Sequence, residues 1–135
     1  MQRIVVIDDE ASIRRTLGVV LTRAGYDVRL AADGLEGMRL VAAAAPDLVI
    51  TDIHMPGVDG FETIACLRTL HPRLPVIAIS GGDQSARLKL LGSATLLGAV
   101  SSLRKPFTVA EVLEEVSRAL SSGPPSALEH APETP

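Results

Sequence analysis

The sequence predicts an α/β three-layer sandwich built on a parallel five-stranded sheet. Short apolar runs without polar alternation, such as residues 48–50, are typical of strands that helices cover on both faces. Segments with apolar residues at helical spacing follow these runs, and Gly or Pro residues lie between the two kinds of segment. Five strands that are each followed by a helix favour parallel pairing through right-handed crossovers.

The first half of the chain predicts two strands and two helices. Residues 3–8 are an apolar run that ends in acidic residues, which indicates a first strand. The helix predicted for residues 11–24 can end at Gly25, because glycine readily adopts positive φ. Residues 27–31 indicate a second strand, and the second helix, residues 35–45, ends before a proline. The apolar positions of the two helices are Ile13, Leu17, Leu21, Ala24, Leu35, Met38, Val41 and Ala45.

The second half of the chain predicts three further strands and helices. The strands cover residues 48–52, 75–80 and 99–103, and the helices cover residues 60–70, 84–97 and 109–120. Pro72 and Pro75 limit the third helix, and Gly98 ends the fourth. The apolar stripes of the third and last helices are Ile64, Leu67, Leu70, Val109, Val112, Leu113, Val116 and Leu120.

Composition restricts the class of protein. The 135 residues suit one domain, expected over residues 1–122, and the proline-rich residues 123–135 are expected to be a disordered tail with no output domain. A net charge of −3 without a basic block argues against nucleic-acid binding. The single cysteine, Cys66, excludes a disulfide framework and a thiolate zinc cluster and is expected to be a small core residue. No signal sequence or membrane-length apolar run is present, so a cytoplasmic protein without membrane insertion is expected.

Polar residues follow four of the predicted strands and should meet at one edge of the sheet, where ligands bind in open α/β folds. They are Asp8, Asp9, Asp52, Ser80 and Lys105. Three neighbouring carboxylates repel one another and favour a cation, and oxygen ligands select Mg²⁺ or Mn²⁺. Each residue alone has an ordinary interpretation, such as a turn, a helix N-terminus or a surface position. Their coincidence at the ends of separate strands favours a functional site.

These residues and the segment 52–60, Asp-Ile-His-Met-Pro-Gly-Val-Asp-Gly, together with Lys105-Pro106-Phe107, make the sequence resemble the receiver domain of bacterial two-component response regulators over residues 3 to 121. The resemblance implies the flavodoxin-like strand order 2-1-3-4-5. It implies that Asp52 accepts a phosphoryl group from a histidine kinase or a histidine phosphotransfer protein, and that the chain switches a downstream protein target rather than acting as an enzyme.

The resemblance also implies a role for each site residue. Mg²⁺ would be held by Asp9, Asp52 and the backbone carbonyl of His54, with Asp8 assisting through water. Lys105 would pair with the phosphoryl oxygens, and Ser80 would donate its hydroxyl to one of them. Pro106 is expected to follow a cis peptide bond that turns Lys105 into the site.

The sequence departs from the family at Ser102, where receivers usually carry a Tyr or Phe whose rotation reports phosphorylation. We therefore expect an atypical switch, with the face formed by the fourth helix, the fifth strand and the last helix as a candidate surface for a partner or a homodimer. Three alternatives remain open: a binding module of the same fold that ignores phosphate, the receiver part of a longer regulator, and an aspartyl-phosphate phosphatase of the haloacid dehalogenase kind. The phosphatase family uses a second Asp at the position that His54 occupies.

Overall fold

The computed structural model describes residues 1–53, 60–81 and 101–122. Within these ranges the strands and helices are β1 (Arg3–Ile7), α1 (Ala11–Arg23), β2 (Asp27–Ala31), α2 (Gly34–Ala43), β3 (Leu48–Asp52), α3 (Gly60–Leu70), β4 (Val76–Ser80), β5 (Ser101–Arg104) and α4 (Val109–Ser122). The helix predicted for residues 84–97 and the tail predicted for residues 123–135 lie outside the described residues.

The five strands form one parallel sheet in the order β2-β1-β3-β4-β5. The predicted fold class and strand order are therefore confirmed. Strands β3 and β4 are buried along their whole length, as their continuous apolar runs predicted. The sheet register sets Asp52 opposite Ile79 and Ser80 opposite Arg104, so the polar strand ends meet at one edge.

Two apolar clusters cover the two faces of the sheet, because successive strand residues point to opposite sides. On one face Val5 and Ile7 of β1 pack with Val41 of α2 and Leu67 of α3. The other face joins a second set of strand residues to α1 and α4. Its members include Ile4, Val6, Leu17, Leu21, Ile77, Leu103, Val112, Val116 and Ala119. The three predicted layers are thus present, and each face of the sheet is covered by two of the helices that lie in the described residues.

Local signals in the sequence explain several helix ends. Gly25 has φ of +101°, and its N–H and that of Tyr26 donate to the carbonyls of Thr22 and Leu21, which is a Schellman ending for α1. The N–H of Glu36 donates to Asp33 Oδ1, and Glu36 Oε1 accepts from the N–H of Ala32. These bonds satisfy N–H groups at the start of α2 that no helical carbonyl can reach.

The first turn of α4 is capped reciprocally. The N–H of Glu111 donates to Thr108 Oγ1, while Glu111 Oε1 accepts from the N–H of Thr108. A Thr followed three residues later by Glu is the sequence signature of this capping box. The helix that follows Lys105 and Pro106 therefore has a locally encoded start.

Some apolar positions predicted to be buried are exposed. Leu35, Leu70 and Val109 are all more than half exposed, since they lie in the first or last turn of their helices. Ala45 lies beyond the end of α2, and Ala119 rather than Val109 completes the buried stripe of α4. The prediction that Cys66 is a core residue is wrong, because it is exposed. It lies about 200° around α3 from Ile64, which is buried.

Candidate functional site

The end of β1 places Asp8 inside the protein. Its side chain is fully buried, and its N–H donates to the Ala31 carbonyl of β2 at 3.1 Å. Asp8 Oδ1 accepts the N–H of Glu10 at 2.9 Å, and the Asp8 carbonyl accepts a bond from Arg14 Nη1 at 2.7 Å. The acidic loop between β1 and α1 is therefore held by its own backbone and by the first turns of the helix.

The end of β3 places Asp52 beside this loop. The Asp52 side chain is 4% exposed, and the next residue, Ile53, donates its N–H to the Ile79 carbonyl of β4 at 3.0 Å. Thr51 Oγ1 donates to the Asp52 carbonyl at 3.1 Å. The backbone around Asp52 is thus held by one sheet hydrogen bond, from Ile53, and by the Thr51 hydroxyl.

Asp8, Asp9 and Asp52 form the predicted carboxylate cluster. Each offers one oxygen, and these oxygens lie within 4.8 Å of one another; Asp8 and Asp52 are buried, whereas Asp9 is exposed. Within the described residues, the buried Asp8 Oδ2 has no hydrogen-bond partner. An all-oxygen donor set with an unsatisfied buried carboxylate oxygen fits Mg²⁺ or Mn²⁺, which prefer such ligands. The cluster can therefore hold a divalent cation.

Among the described residues, Lys105 brings a positive charge to the cluster. Its Nζ lies 3.0 Å from Asp52 Oδ2, 3.1 Å from Glu10 Oε1 and 3.2 Å from Asp8 Oδ2. The contacts with Asp52 and Glu10 have hydrogen-bond geometry, whereas the one with Asp8 is an ion pair without it. Burial opposes the charged form of Lys105, but the bond and the charge of Asp52 outweigh it and raise the pKa of the ammonium group.

Burial has the opposite consequence for Asp8. It disfavours the charged carboxylate and raises the pKa of Asp8 from 3.8 to about 6, and the neighbouring charge of Asp52 acts in the same direction. The hydrogen bond from Glu10 and the charge of Lys105 lower it in part. A single lysine therefore does not fully compensate the buried carboxylates, and a second cation would be favourable here.

Ser80 lies at the end of β4, next to Lys105. It is fully buried, and its carbonyl accepts the N–H of Lys105 at 2.7 Å. Ser80 Oγ has no hydrogen-bond partner within residues 1–53, 60–81 and 101–122. The hydroxyl is therefore available to donate to a ligand that enters the site.

The other predicted site residues lie at the margin of the cluster or beyond the described chain. Ser102 is exposed on β5, where it pairs with Ala78. Pro106 is exposed, and the Lys105–Pro106 peptide bond is cis, as expected from the resemblance. His54, whose carbonyl was expected to bind the metal, lies outside the described residues.

Among the described residues, sequence reasoning missed Glu10 and Arg14, which contact the site. Glu10 binds Lys105, and Arg14 donates to the carbonyl of Asp8. Glu10 was visible as a third acidic residue after Asp8 and Asp9, but nothing in the sequence indicated which acid would reach Lys105, 95 residues away. Arg14 gave no signal beyond its position in the predicted first helix.

The opposite edge of the sheet carries an ion pair between an arginine and an aspartate. There Arg3 Nε donates to Asp27 Oδ2 at 2.9 Å, and this bond holds the pKa of Asp27 below its usual value. The Arg3 N–H donates to Asp47 Oδ2 at 2.7 Å. An open cleft of about 530 Å³ lies at this edge, and its lining includes Asp47, His71 and Leu120 but none of the predicted site residues.

Three comparisons relate the chain to known proteins. The family model of the response regulator receiver domain matches residues 4–117. The chain is 38% identical over 117 residues to the DNA-binding transcriptional regulator NtrC of Rhizobium meliloti (strain 1021), a match that covers 87% of this chain and 24% of NtrC. It is 30% identical over 119 residues to sporulation initiation phosphotransferase F of Bacillus subtilis (strain 168), covering 88% of this chain and 94% of that protein.

A solved structure shows the same fold. The response regulator receiver domain protein from Clostridium thermocellum superposes with a TM-score of 0.83 and 29% sequence identity, covering 90% of this chain and 96% of that one. Among the described residues no helix is long and apolar enough to cross a membrane. The family match, these relatives and the strand-end cluster agree: the chain belongs to the response regulator receiver domains of two-component signalling systems.

Proposed function

We propose that the chain accepts a phosphoryl group on Asp52 from a histidine kinase or a histidine phosphotransfer protein and changes its binding to a downstream protein as a result. One observation carries the proposal: the buried Asp52 carboxylate lies 3.0 Å from Lys105 Nζ and within 4.8 Å of the Asp8 and Asp9 oxygens. Phosphoryl transfer needs mainly a positioned nucleophile and neutralised charge. The cluster supplies both.

In the proposed reaction an Asp52 oxygen attacks the phosphorus of a phosphohistidine. A P–O bond forms, the P–N bond breaks, and the leaving imidazole nitrogen keeps the electron pair of that bond. Asp52 is held for this role by the sheet bonds of β3, and Lys105 Nζ, 3.0 Å from Asp52 Oδ2, is near enough to bind a phosphoryl oxygen. The buried Ser80 hydroxyl, which has no hydrogen-bond partner among the described residues, is the second proposed donor. The product is an acyl phosphate on Asp52, so the chain acts as a phosphoacceptor that assists only its own modification.

The expected metal ligands are Asp9, Asp52 and the backbone carbonyl of His54, with Asp8 assisting through water. A bound Mg²⁺ or Mn²⁺ would neutralise charge on the carboxylates and on the incoming phosphoryl group. Asp8 and Asp9 can receive it because their oxygens lie beside Asp52. Asp8 Oδ2, which pairs with Lys105 Nζ at 3.2 Å but has no hydrogen-bond partner among the described residues, supports this assignment.

The test is covalent labelling by a small phosphodonor or by beryllofluoride, which mimics a phosphoryl group on a carboxylate. Wild-type protein should take the label only with Mg²⁺ or Mn²⁺, and Asp52→Asn should take none. Asp33→Asn is the matched control, since Asn keeps the helix cap that Asp33 provides outside the cluster. Undiminished labelling of Asp52→Asn in mass spectrometry would overturn the assignment.

We also propose that this receiver switches without an aromatic side chain on β5. Ser102 occupies the expected aromatic position, and its side chain is exposed and too small to report the movement of Ser80 by rotation. Hydrogen exchange with and without beryllofluoride tests this proposal. Protection changes should centre on residues 81–98, and changes confined to α1 would place the output surface there instead.

A further inference from the structure

Three carboxylates surround the Lys105 ammonium group within the described chain, and they differ in burial. Asp8 and Asp52 are buried, whereas the Glu10 side chain is 56% exposed. Glu10 Oε1 nevertheless lies 3.1 Å from Lys105 Nζ with hydrogen-bond geometry. The exposed Glu10 side chain thus binds a lysine that also pairs with two buried carboxylates.

The three carboxylates differ in how easily each can leave Lys105 and be hydrated by water instead. Asp8 follows β1 and Asp52 is the last residue of β3, and bonds from backbone N–H groups hold both positions. Glu10 occupies the N-cap position of α1, but its side chain makes no capping hydrogen bond. Its carboxylate can therefore leave Lys105 for water without disturbing the helix start. An exposed ion pair of this kind contributes little net stability, so its exchange is easy.

A phosphoryl group on Asp52 would need hydrogen bonds from the N–H donors of Lys105. An ammonium group has three N–H donors, and in the present structure carboxylates surround it at 3.0, 3.1 and 3.2 Å. The incoming group brings oxygen acceptors and further negative charge to the same place. Hydrogen bonds to Asp52 and Glu10 use two of these donors, so the phosphoryl oxygens would compete with both carboxylates for Lys105.

We propose that Glu10 is a positioning residue that holds Lys105 in the unphosphorylated state and yields its N–H donor to the phosphoryl group. This inference rests on the proposed phosphorylation of Asp52. Glu10 is the only one of the three carboxylates near Lys105 that has water available as a replacement partner. It competes with the phosphoryl oxygens for Lys105, so removing the contact should favour the phosphorylated state.

The experiment compares wild-type protein with Glu10→Gln and Glu10→Asp. Beryllofluoride with saturating MgCl₂ is titrated into each, and the side-chain amine signal of Lys105 is recorded by NMR in metal-free protein without beryllofluoride. Glu10→Gln removes the charge, whereas Glu10→Asp keeps the charge on a side chain one methylene shorter. Both variants should bind beryllofluoride about two- to fivefold more tightly, as expected from loss of one exposed ion pair.

Both variants should also shift the Lys105 amine signal in the metal-free protein. If Glu10→Asp matches wild type in affinity and in the Lys105 signal, the effect of Glu10 is one of charge alone and the inference is overturned. Unchanged behaviour of both variants overturns it as well. Failure of wild-type protein to bind beryllofluoride would contradict the proposed function, whereas the Lys105 signal would still decide whether Glu10 holds that side chain.

Discussion

Lys105 Nζ lies 3.0 Å from Asp52 Oδ2, so the first residue after β5 neutralises the last residue of β3 across the intervening β4. Both side chains are largely buried, at 16% and 4% exposure. Removing one partner of such a pair leaves an uncompensated charge inside the protein, which is more costly than the pair itself.

We therefore expect Lys105→Met to destabilise metal-free protein at neutral pH by about 3 kcal/mol. Saturating Mg²⁺ should reduce this loss, since the metal would neutralise the same carboxylates. Urea unfolding with and without Mg²⁺ measures both effects. Arg104→Met is the control, because it removes the same charge from an exposed neighbour. Equal losses for the two variants would mean that Lys105 contributes no more than a surface charge.

The raised pKa of Asp8 predicts a pH dependence of stability. Between 3.8 and about 6, folded Asp8 holds a proton that the unfolded chain has lost. The free energy of unfolding should therefore fall as pH rises through this window, by at most about 3 kcal/mol, and change little above it. Mg²⁺ should bind more tightly as pH rises through 6, because it competes with this proton.

The measurement is urea unfolding of metal-free wild type and Asp8→Asn from pH 4 to 8. The stability of Asp8→Asn relative to wild type should increase with pH up to about 6. Asp33→Asn shows how much of any change follows from removing a carboxyl outside the cluster. A constant difference between wild type and Asp8→Asn across this range would contradict the prediction.

Asp9 should affect stability and metal binding in opposite directions. Its carboxylate is exposed but lies within 4.8 Å of two buried ones, so Asp9→Asn relieves repulsion in metal-free protein. We expect a gain in unfolding free energy of less than about 1 kcal/mol, together with weaker Mg²⁺ binding. Thermal melts across a Mg²⁺ titration test both effects, and a decrease in both quantities would refute the prediction.

Gly37 lies where α2 packs closely against Ile7 of the sheet. A Cβ at this position would lie 2.3 Å from Ile7 Cδ1 and 2.6 Å from Ile7 Cγ1, and Ile7 is fully buried. Gly37→Ala should destabilise the protein by about 1–3 kcal/mol despite the better helix propensity of alanine. Ile7→Val removes Cδ1, so it should recover part of that loss in the double variant.

Chemical denaturation of the two single variants and the double variant measures this coupling. Gly18→Ala is the matched control on α1, where the nearest atom to a new Cβ is Leu30 Cδ1 at 3.3 Å. Leu30 is 42% exposed and can move, so this variant should be neutral or slightly more stable. Additive effects of Gly37→Ala and Ile7→Val would show that the two positions do not clash.

Much of the fold was predictable because continuous apolar runs in the sequence mark the buried strands. The bounds of β2 and α3 agree with the prediction, and the buried runs of β3 and β4 identified central strands. Exposure at helix ends was not predictable, as Leu35 and Val109 show, because periodicity does not reveal where a helix passes beyond the sheet. For Cys66, its small size suggested burial, but its angular position on α3 decided otherwise.

The candidate site was predictable as a set of strand ends but not as a network. Parallel topology alone brings Asp8, Asp52 and Lys105 to one edge, and the structure has them in contact. The contact between Glu10 and Lys105 depends on side-chain direction in a loop. Likewise, the unsatisfied Ser80 hydroxyl becomes visible only when its surroundings are known.

The main-chain bonds from Ile53 to Ile79 and from Lys105 to Ser80 carry the sheet ladder one residue past its strands, into the site. The backbone of the sheet thereby fixes the positions of the site residues, and these positions do not depend on the exposed faces of the helices. Those faces can diverge without disturbing Asp52, the proposed nucleophile. Exchanging exposed residues of α1, such as Val19, should therefore leave the rate of the proposed acyl phosphate formation from small donors unchanged.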